Sequence, residues 1–349
     1  MGRARGERRG GLTLKRQREY DEDDVRVRAT RSSRSRPRTR IRPKHDEAIF
    51  GFVVAVDRGR YTVVVDDHEL TAMRARELGR KSVVVGDEVA LVGDVSGAVG
   101  SLARIVRVEE RRSVLRRTAD DDENTVEGRI ERVVVANADQ MVIVSALADP
   151  PPRTGFIDRC LVAAYSADVE PILCLTKADL AGPEQVLDYY SALNIQHLLL
   201  SPDADLGPLR KTLRGMVSVF VGHSGVGKST LVNRLIPGAD RAVGVVSAIG
   251  KGRHTSTSVV ALRLPLERKP SWIIDTPGIR SFGLAHVSAD DLLHGFADLV
   301  EGTVDCPPNC EHLGGDCALD RWVEQKHADP RRLASYRRLL ASRAGDVEQ

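Results

Sequence analysis

The chain has 349 residues, a length that accommodates two or three domains. Its formal net charge of +3 is unevenly distributed, because residues 1–45 carry a local balance of +10 and the remaining residues sum to −7. The sequence lacks a run of 18 apolar residues and an apolar N-terminal signal, so we expect a cytoplasmic protein that does not span a membrane.

Residues 1–45 form the first predicted unit, a disordered basic arm. They contain 16 Lys or Arg against 6 Asp or Glu, with one aromatic residue, Tyr20. Such a segment buries too little apolar surface to offset the entropy lost on ordering. An arm of this kind binds polyanions through counterion release, although a solubilising tail has the same composition.

Residues 46–117 are predicted to form a small β-barrel. Short β-rich runs (IFGFVVAV, RYTVVVDD, SVVVGDEVALVG and SLARIVRVE) alternate with turns and leave no room for a long helix. The size matches an OB-fold or an SH3-like barrel. An acidic linker at residues 118–129 follows.

Residues 130–285 are predicted to form an α/β domain. Apolar runs such as PILCLTK and VSVFVG alternate with helical segments such as FIDRCLVAAYSA. Continuous apolar strands between helices predict a mainly parallel sheet that is covered on both faces.

The segment GHSGVGKST at residues 222–230 matches the phosphate-loop pattern G-x-x-x-x-G-K-[ST] in full, after a strand and at the start of a helix. The backbone N–H groups of such a loop bind phosphates together with the helix N-terminus. Lys228 would neutralise the β- and γ-phosphates, and the Ser229 hydroxyl would ligate Mg²⁺. The predicted phosphate-binding residues are Gly222, His223, Ser224, Gly225, Val226, Gly227, Lys228, Ser229 and Thr230.

Two further segments follow the phosphate loop in the order that a GTPase requires. DTPG begins at Asp275, 47 residues after Lys228. We expect Asp275 to hold Mg²⁺ through water and Gly278 to sense the γ-phosphate. The intervening GRHTST segment lies where a switch loop belongs, and either Thr255 or Thr257 would close over Mg²⁺.

The tetrapeptide Thr176-Lys177-Ala178-Asp179 is predicted to bind the base. The Asp179 carboxylate can accept two hydrogen bonds from guanine that adenine cannot donate, and Lys177 would lie along the base. Thr176 stands where Asn is usual, so we expect one side-chain amide connection to the neighbouring loops to be lost and the affinity to be lower.

The base-binding segment precedes the phosphate loop, which reverses the usual order. A sheet depends on which strands are neighbours and not on their order along the chain, so joining the old termini and cutting a surface loop leaves it intact. The sequence therefore predicts a circularly permuted GTPase.

Residues 286–349 are predicted to form a helical domain with a metal site. Ser288 and Asp291 form a predicted capping pair. Three thiolates and one imidazole suit tetrahedral Zn²⁺ with no open position, which predicts one structural zinc ion. The predicted ligands are Cys306, Cys310, His312 and Cys317.

This order of motifs, between a small barrel and a Cys/Cys/His/Cys knuckle, resembles the ribosome small-subunit-dependent GTPase A family, RsgA (also called YjeQ or EngC). The resemblance covers about residues 48–343. It implies an OB-fold barrel, GTP hydrolysis stimulated by the small ribosomal subunit, and a role in late maturation of that subunit. The implied partners are the subunit with its rRNA, and GTP or GDP, with the nucleotide state controlling release.

Intrinsic hydrolysis is expected to be slow, because no Gln follows Gly278 to orient the attacking water. His254 is the candidate for that task once RNA orders the switch loop, against the alternative of a solvent-facing loop histidine. Arginines of the last helix would add to an RNA-binding surface with the arm and the barrel. They are Arg331, Arg332, Arg337 and Arg338.

Two other functions remain open. The chain could be an RNA-binding assembly factor in which the nucleotide is mainly a structural or regulatory ligand, or an ATP-using P-loop enzyme. We expect a monomer, because no feature of the sequence indicates an obligate oligomer.

Overall fold

The structure is a computed structural model that describes residues 45, 47–79, 83–118, 131–239, 259–265, 269–276, 282, 284 and 286–343. The chain divides into two units, Met1–Lys44 and His45–Gln349, and every described residue belongs to the second. All of the predicted basic arm except His45, and most of the predicted acidic linker, therefore lie outside the described residues. Within the described part of the chain, no helix has the length and apolar character needed to cross a membrane.

The described residues form thirteen strands and eight α-helices. The strands are β1 (Ile49–Asp57), β2 (Arg60–Val65), β3 (His68–Arg74), β4 (Glu88–Gly93), β5 (Ala103–Val108), β6 (Val114–Thr118), β7 (Glu131–Ala136), β8 (Gln140–Ala146), β9 (Glu170–Thr176), β10 (Gln196–Leu200), β11 (Val217–Val221), β12 (Val260–Arg263) and β13 (Trp272–Asp275). The helices are α1 (Thr154–Ser166), α2 (Glu184–Tyr190), α3 (Gly207–Leu213), α4 (Lys228–Leu235), α5 (Ala289–Leu292), α6 (Ala297–Val300), α7 (Ala318–Glu324) and α8 (Pro330–Arg343).

Strands β1 to β5 close into a barrel in the order β1-β2-β3-β5-β4, with β4 returning to pair with β1. Side chains alternate inward along β2, where Tyr61, Val63 and Val65 are buried. Gly51 lets β1 pass close to them, because an added Cβ would lie 2.6 Å from a Val63 methyl carbon. The predicted N-terminal barrel is confirmed. Strand β6 pairs with β7 and not with the barrel.

The second part of the sheet has the order β10-β9-β8-β11-β13-β12, in which the first five strands are parallel and β12 is antiparallel to β13. Every residue of β8 and β11 is buried. Apolar cores lie against the sheet, one with Leu161 of α1 and one with Leu209 of α3 and Leu231 of α4. The predicted mainly parallel sheet is confirmed.

The barrel strands and the mainly parallel part of the sheet are joined edge to edge into one sheet of eleven strands. Strand β1 pairs antiparallel with β12, with Ala55 opposite Val260. The rings of Phe52 and Trp272 stack beside this junction, with their centroids 5.1 Å apart. The barrel therefore packs directly on the strand that follows the predicted switch loop.

The C-terminal helices share the apolar core of α1 through Phe296 and Tyr336. The capping pair predicted for the first of them is confirmed: Ser288 Oγ accepts from the Asp291 N–H at 3.2 Å, and the Asp291 carboxylate accepts from the Ser288 N–H at 2.7 Å. The Tyr336 hydroxyl donates to the Ala289 carbonyl at 2.9 Å, so α8 also holds α5 in place.

The arginines of α8 were expected to face RNA, and three of them instead bind other parts of the protein. Arg332 donates to both Asp298 carboxylate oxygens at 2.8 Å. Arg338 donates to the buried Asp158 of α1 at 3.2 Å, and Arg337 pairs with an acid of α7. These guanidinium groups are committed to internal ion pairs, which corrects the expectation of a free basic surface on this helix.

Candidate functional site

The carboxyl ends of the parallel strands meet at one edge of the sheet. The chain runs from β8 outward to β9 and β10, returns to β11, and continues in the opposite direction to β13. The strand order therefore reverses between β8 and β11. Open α/β sheets bind ligands in the crevice at such a switch point.

The phosphate loop lies at this reversal, between β11 and α4. Gly225 and Gly227 have φ angles of 85° and 88°, which favour glycine because other residues are strained there. Gly222 lies against β8, where an added Cβ would come within 2.8 Å of the Val144 carbonyl oxygen. These glycines let the backbone turn tightly, so that the loop can expose its N–H groups. Strand, loop and helix follow one another as the sequence predicts.

Two of the predicted phosphate-site residues contact each other. The buried Lys228 ammonium forms an ion pair with the half-buried Asp275 carboxylate at the end of β13. The Thr276 hydroxyl donates to the Phe220 carbonyl at 2.8 Å and so fixes the end of β13 against β11. Ser229 is exposed on the first turn of α4. The predicted lysine and the first residue of DTPG therefore lie at one place.

The base-binding segment contacts the phosphate loop directly. The Thr176 hydroxyl donates to the Val226 carbonyl at 2.6 Å and lies 3.4 Å from the Ser145 carbonyl. The hydroxyl of Thr176 therefore supplies one connection to the phosphate loop from the position where an amide is usual. The expected loss of an amide connection and of affinity stays a prediction.

The rest of the tetrapeptide turns away from β9 and continues along the same edge of the sheet. Lys177 adopts a left-handed conformation with φ of 55°, and its ammonium donates to the Asp149 carbonyl. The Ala178 N–H donates to the Leu200 carbonyl at 3.1 Å. Asp179 follows in the turn and is exposed. The segment is therefore connected to the loop after β8 and to the end of β10.

One residue that shapes this edge was missed at the level of sequence. Arg234, in the last turn of α4, donates to the Ala204 carbonyl at 2.6 Å and to the Ser201 carbonyl at 3.3 Å. It thereby fixes the loop after β10 to the helix that follows the phosphate loop. An arginine on an amphipathic helix is ordinarily a solvent-facing residue, so no local signal marks this one.

The predicted switch and sensor residues lie outside the described residues. They are His254, Thr255, Thr257 and Gly278. The predictions of a water-orienting histidine, of a magnesium-ligating threonine and of a γ-phosphate sensor stay predictions.

The four predicted metal ligands lie together in the C-terminal segment. Their donor atoms are all within 4.8 Å of one another. The Cys306 and Cys317 sulfurs are 3.9 Å apart, and each is close to His312 Nδ1, at 3.5 Å and 3.6 Å. Bonds of about 2.3 Å to sulfur and about 2.0–2.1 Å to nitrogen in a tetrahedron give about 3.8 Å between sulfurs and about 3.6 Å between sulfur and nitrogen. Cys306, His312 and Cys317 therefore already lie at the spacing of tetrahedral ligands, and the Cys310 sulfur is within 4.8 Å of their donor atoms.

The geometry also indicates which imidazole nitrogen would face a bound ion. His312 Nδ1 points to the sulfurs, while Nε2 lies 3.6 Å from a carboxylate oxygen of Asp290 in α5. Burial raises the pKa of the Cys317 thiol to about 11, so an ion must displace a proton to bind there. By contrast, Cys160 and Cys174 are isolated in the core, and burial raises the pKa of Cys174 to about 12.

Comparison with known proteins gives consistent matches. A family model described as RsgA GTPase matches residues 108–285. The small ribosomal subunit biogenesis GTPase RsgA of Pseudomonas aeruginosa strain LESB58 is 42% identical over 220 residues, which are 60% of this chain and 64% of that protein. The protein of the same name from Chlorobaculum parvum is 34% identical over 311 residues, 85% of this chain and 99% of that one.

Two solved structures share the fold. The crystal structure of YjeQ from Thermotoga maritima superposes with a TM-score of 0.59 at 22% identity, covering 86% of this chain and 100% of that one. YloQ, described as a circularly permuted GTPase, gives a TM-score of 0.58 at 23% identity, covering 88% and 98%. The strand order, the family match and the full-length relative agree, and the chain belongs to the RsgA family of circularly permuted GTPases.

Proposed function

We propose that this chain binds a guanine nucleotide across the β8–β11 crevice and hydrolyses GTP to GDP and phosphate. The observation that carries the proposal is the hydrogen bond from Thr176 to Val226, which joins the base-binding segment to the phosphate loop despite their inverted order. With these segments in contact, Asp179 and Lys228 can act on opposite ends of one nucleotide.

The proposed roles follow the chemistry of each residue type. The phosphate loop would hold the phosphates, and Lys228 would exchange its pairing with Asp275 for the β- and γ-phosphates. Ser229 and either Thr255 or Thr257 would ligate Mg²⁺, and Asp275 would act through water. His254 would orient the attacking water. The Cys/His cluster would hold one structural Zn²⁺.

We further propose that hydrolysis takes place on the small ribosomal subunit during its late maturation, with the nucleotide state controlling release. The support is that relatives with 42% and 34% identity to this chain over the matched residues are named for biogenesis of that subunit. The five-stranded barrel has the strand number of an OB-fold, a fold that binds oligonucleotides, and would contact rRNA. The protein would act in the cytoplasm as a monomer.

One experiment tests the whole proposal. Hydrolysis of GTP and of ATP is measured with and without purified small subunits, at two salt concentrations. We expect slow GTP turnover that subunits accelerate, with less acceleration at the higher salt because phosphate contacts release counterions. Turnover of ATP at the same rate would overturn the assignment. GTP binding without any turnover would favour the RNA-binding factor that uses the nucleotide as a structural ligand.

A further inference from the structure

Arg337 of α8 connects three parts of the metal cluster's surroundings. Its Nε donates to the His312 carbonyl at 2.9 Å. Its two terminal nitrogens donate to the two Asp320 carboxylate oxygens, each at 2.8 Å. Asp320 lies in the first turn of α7, three residues after Cys317. One planar guanidinium therefore connects the predicted ligand His312 to α7, the helix that begins directly after the predicted ligand Cys317.

The contact with His312 bears on how the imidazole is aimed. His312 has a φ angle of 58°, a left-handed conformation that costs free energy for a residue other than glycine. Surrounding contacts must maintain such a conformation, and Arg337 binds the carbonyl of that very residue. Because His312 is 3% exposed and its Nδ1 faces two sulfurs, a change in this backbone would turn the donor atom away from them.

The contact with Asp320 fixes the other side of the cluster. Cys317 stands at the N-cap of α7, so the position of this helix sets the position of the sulfur. A guanidinium can hold a carboxylate with two parallel hydrogen bonds and still donate to a carbonyl, whereas an ammonium cannot reproduce that fork. Three thiolates and one divalent cation also leave a net negative charge, which a nearby cation offsets.

We propose that Arg337 is a positioning residue of the metal centre, holding His312 and Cys317 at ligand spacing without itself touching the ion. The inference rests on the proposed zinc site and adds to it a residue outside the four ligands. Outer residues of this kind typically contribute 10–100-fold to metal affinity.

The test compares two arginines of the same helix. Arg337→Ala removes the contacts described above, and Arg331→Ala removes an equal charge from an exposed side chain that pairs with Asp329 two residues away. Zinc release to a chromogenic chelator and titration with Co²⁺ are measured on the full chain. We expect Arg337→Ala to lower metal affinity by about 10–100-fold and to weaken the tetrahedral cobalt bands, with Arg331→Ala unchanged.

Conservative variants separate positioning from folding. Arg337→Lys keeps the charge but loses the fork, and Asp320→Asn keeps the shape but loses the ion pair, so each should lower metal affinity even if Arg337→Ala does not fold. Unchanged affinity in both would overturn the inference, as would equal cobalt binding by Arg337→Ala and Arg331→Ala. A wild-type protein that binds neither Zn²⁺ nor Co²⁺ would instead overturn the metal site itself.

Discussion

Replacing Thr176 by valine would remove the hydroxyl that joins the base-binding segment to the phosphate loop, with almost no change in side-chain volume. Thr176 is 8% exposed and Val226 is fully buried, so water cannot readily take the place of the lost donor. The hydrogen bond is 2.6 Å long, and its loss leaves the Val226 carbonyl short of a partner. A buried carbonyl that lacks a hydrogen-bond partner costs about 1–3 kcal/mol of free energy.

This cost divides between folding and binding. The bond is present within the protein itself, so Thr176→Val should lower the free energy of unfolding by about 1–3 kcal/mol in urea titrations. If the two segments separate in the free variant, the nucleotide must bring them together again. The measured affinity then falls in proportion to the fraction of molecules in which the segments are already in contact. About 1–2 kcal/mol of this kind raises the Kd for a fluorescent GDP analogue about 5- to 30-fold.

Two control variants make the result decisive. Thr176→Ser keeps the donor and should leave both quantities near those of the wild type. Thr176→Asn introduces the amide that is usual at this position and should retain nucleotide binding. If Thr176→Val has the same free energy of unfolding and the same Kd for GDP as the wild type, the bond does not join the two segments. The physical basis of the nucleotide site proposed above is then lost.

Three further outcomes are expected. Asp179→Asn should weaken GTP binding by at least about 100-fold, because two hydrogen bonds to a charged group contribute about 1.5–3 kcal/mol each. The variant should favour xanthosine triphosphate in competition assays. An unchanged preference for GTP would show that another residue selects the base. His254→Ala should abolish subunit-stimulated turnover with GDP affinity unchanged, and normal stimulated turnover would exclude its role. Arg332→Ala should lower the free energy of unfolding by about 2–3 kcal/mol, since it leaves the part-buried Asp298 unpaired, whereas Arg331→Ala should stay within about 0.5 kcal/mol.

The features that sequence predicts well are those whose causes are local. The phosphate loop is recognisable because its glycines, lysine and hydroxyl act within nine consecutive residues, and the strand before it is apolar throughout. The capping pair of α5 depends on two residues three positions apart. The four metal ligands are likewise within twelve residues, so their spacing alone indicates that they can meet.

What sequence did not predict depends on contacts between distant residues. Arg338 is 180 positions from its partner Asp158, and composition alone favours an RNA-facing helix over an internal ion pair. The pairing of Ala55 with Val260 likewise joins segments that the sequence assigns to different domains. The Thr176 hydroxyl reaches a carbonyl only because β9 and the phosphate loop meet at the same edge, which residue type cannot reveal.

One edge of β1 pairs with β2, and its other edge pairs with two strands, with β4 along Ile49–Phe52 and with β12 at Ala55. A fragment that carried the nucleotide domain without the barrel would leave β12 as a bare, apolar strand edge and would strip the covering ring from Trp272. Such edges template pairing with other chains. The barrel thus covers a strand edge of the following domain that would otherwise promote aggregation, and the two domains are best expressed and purified together.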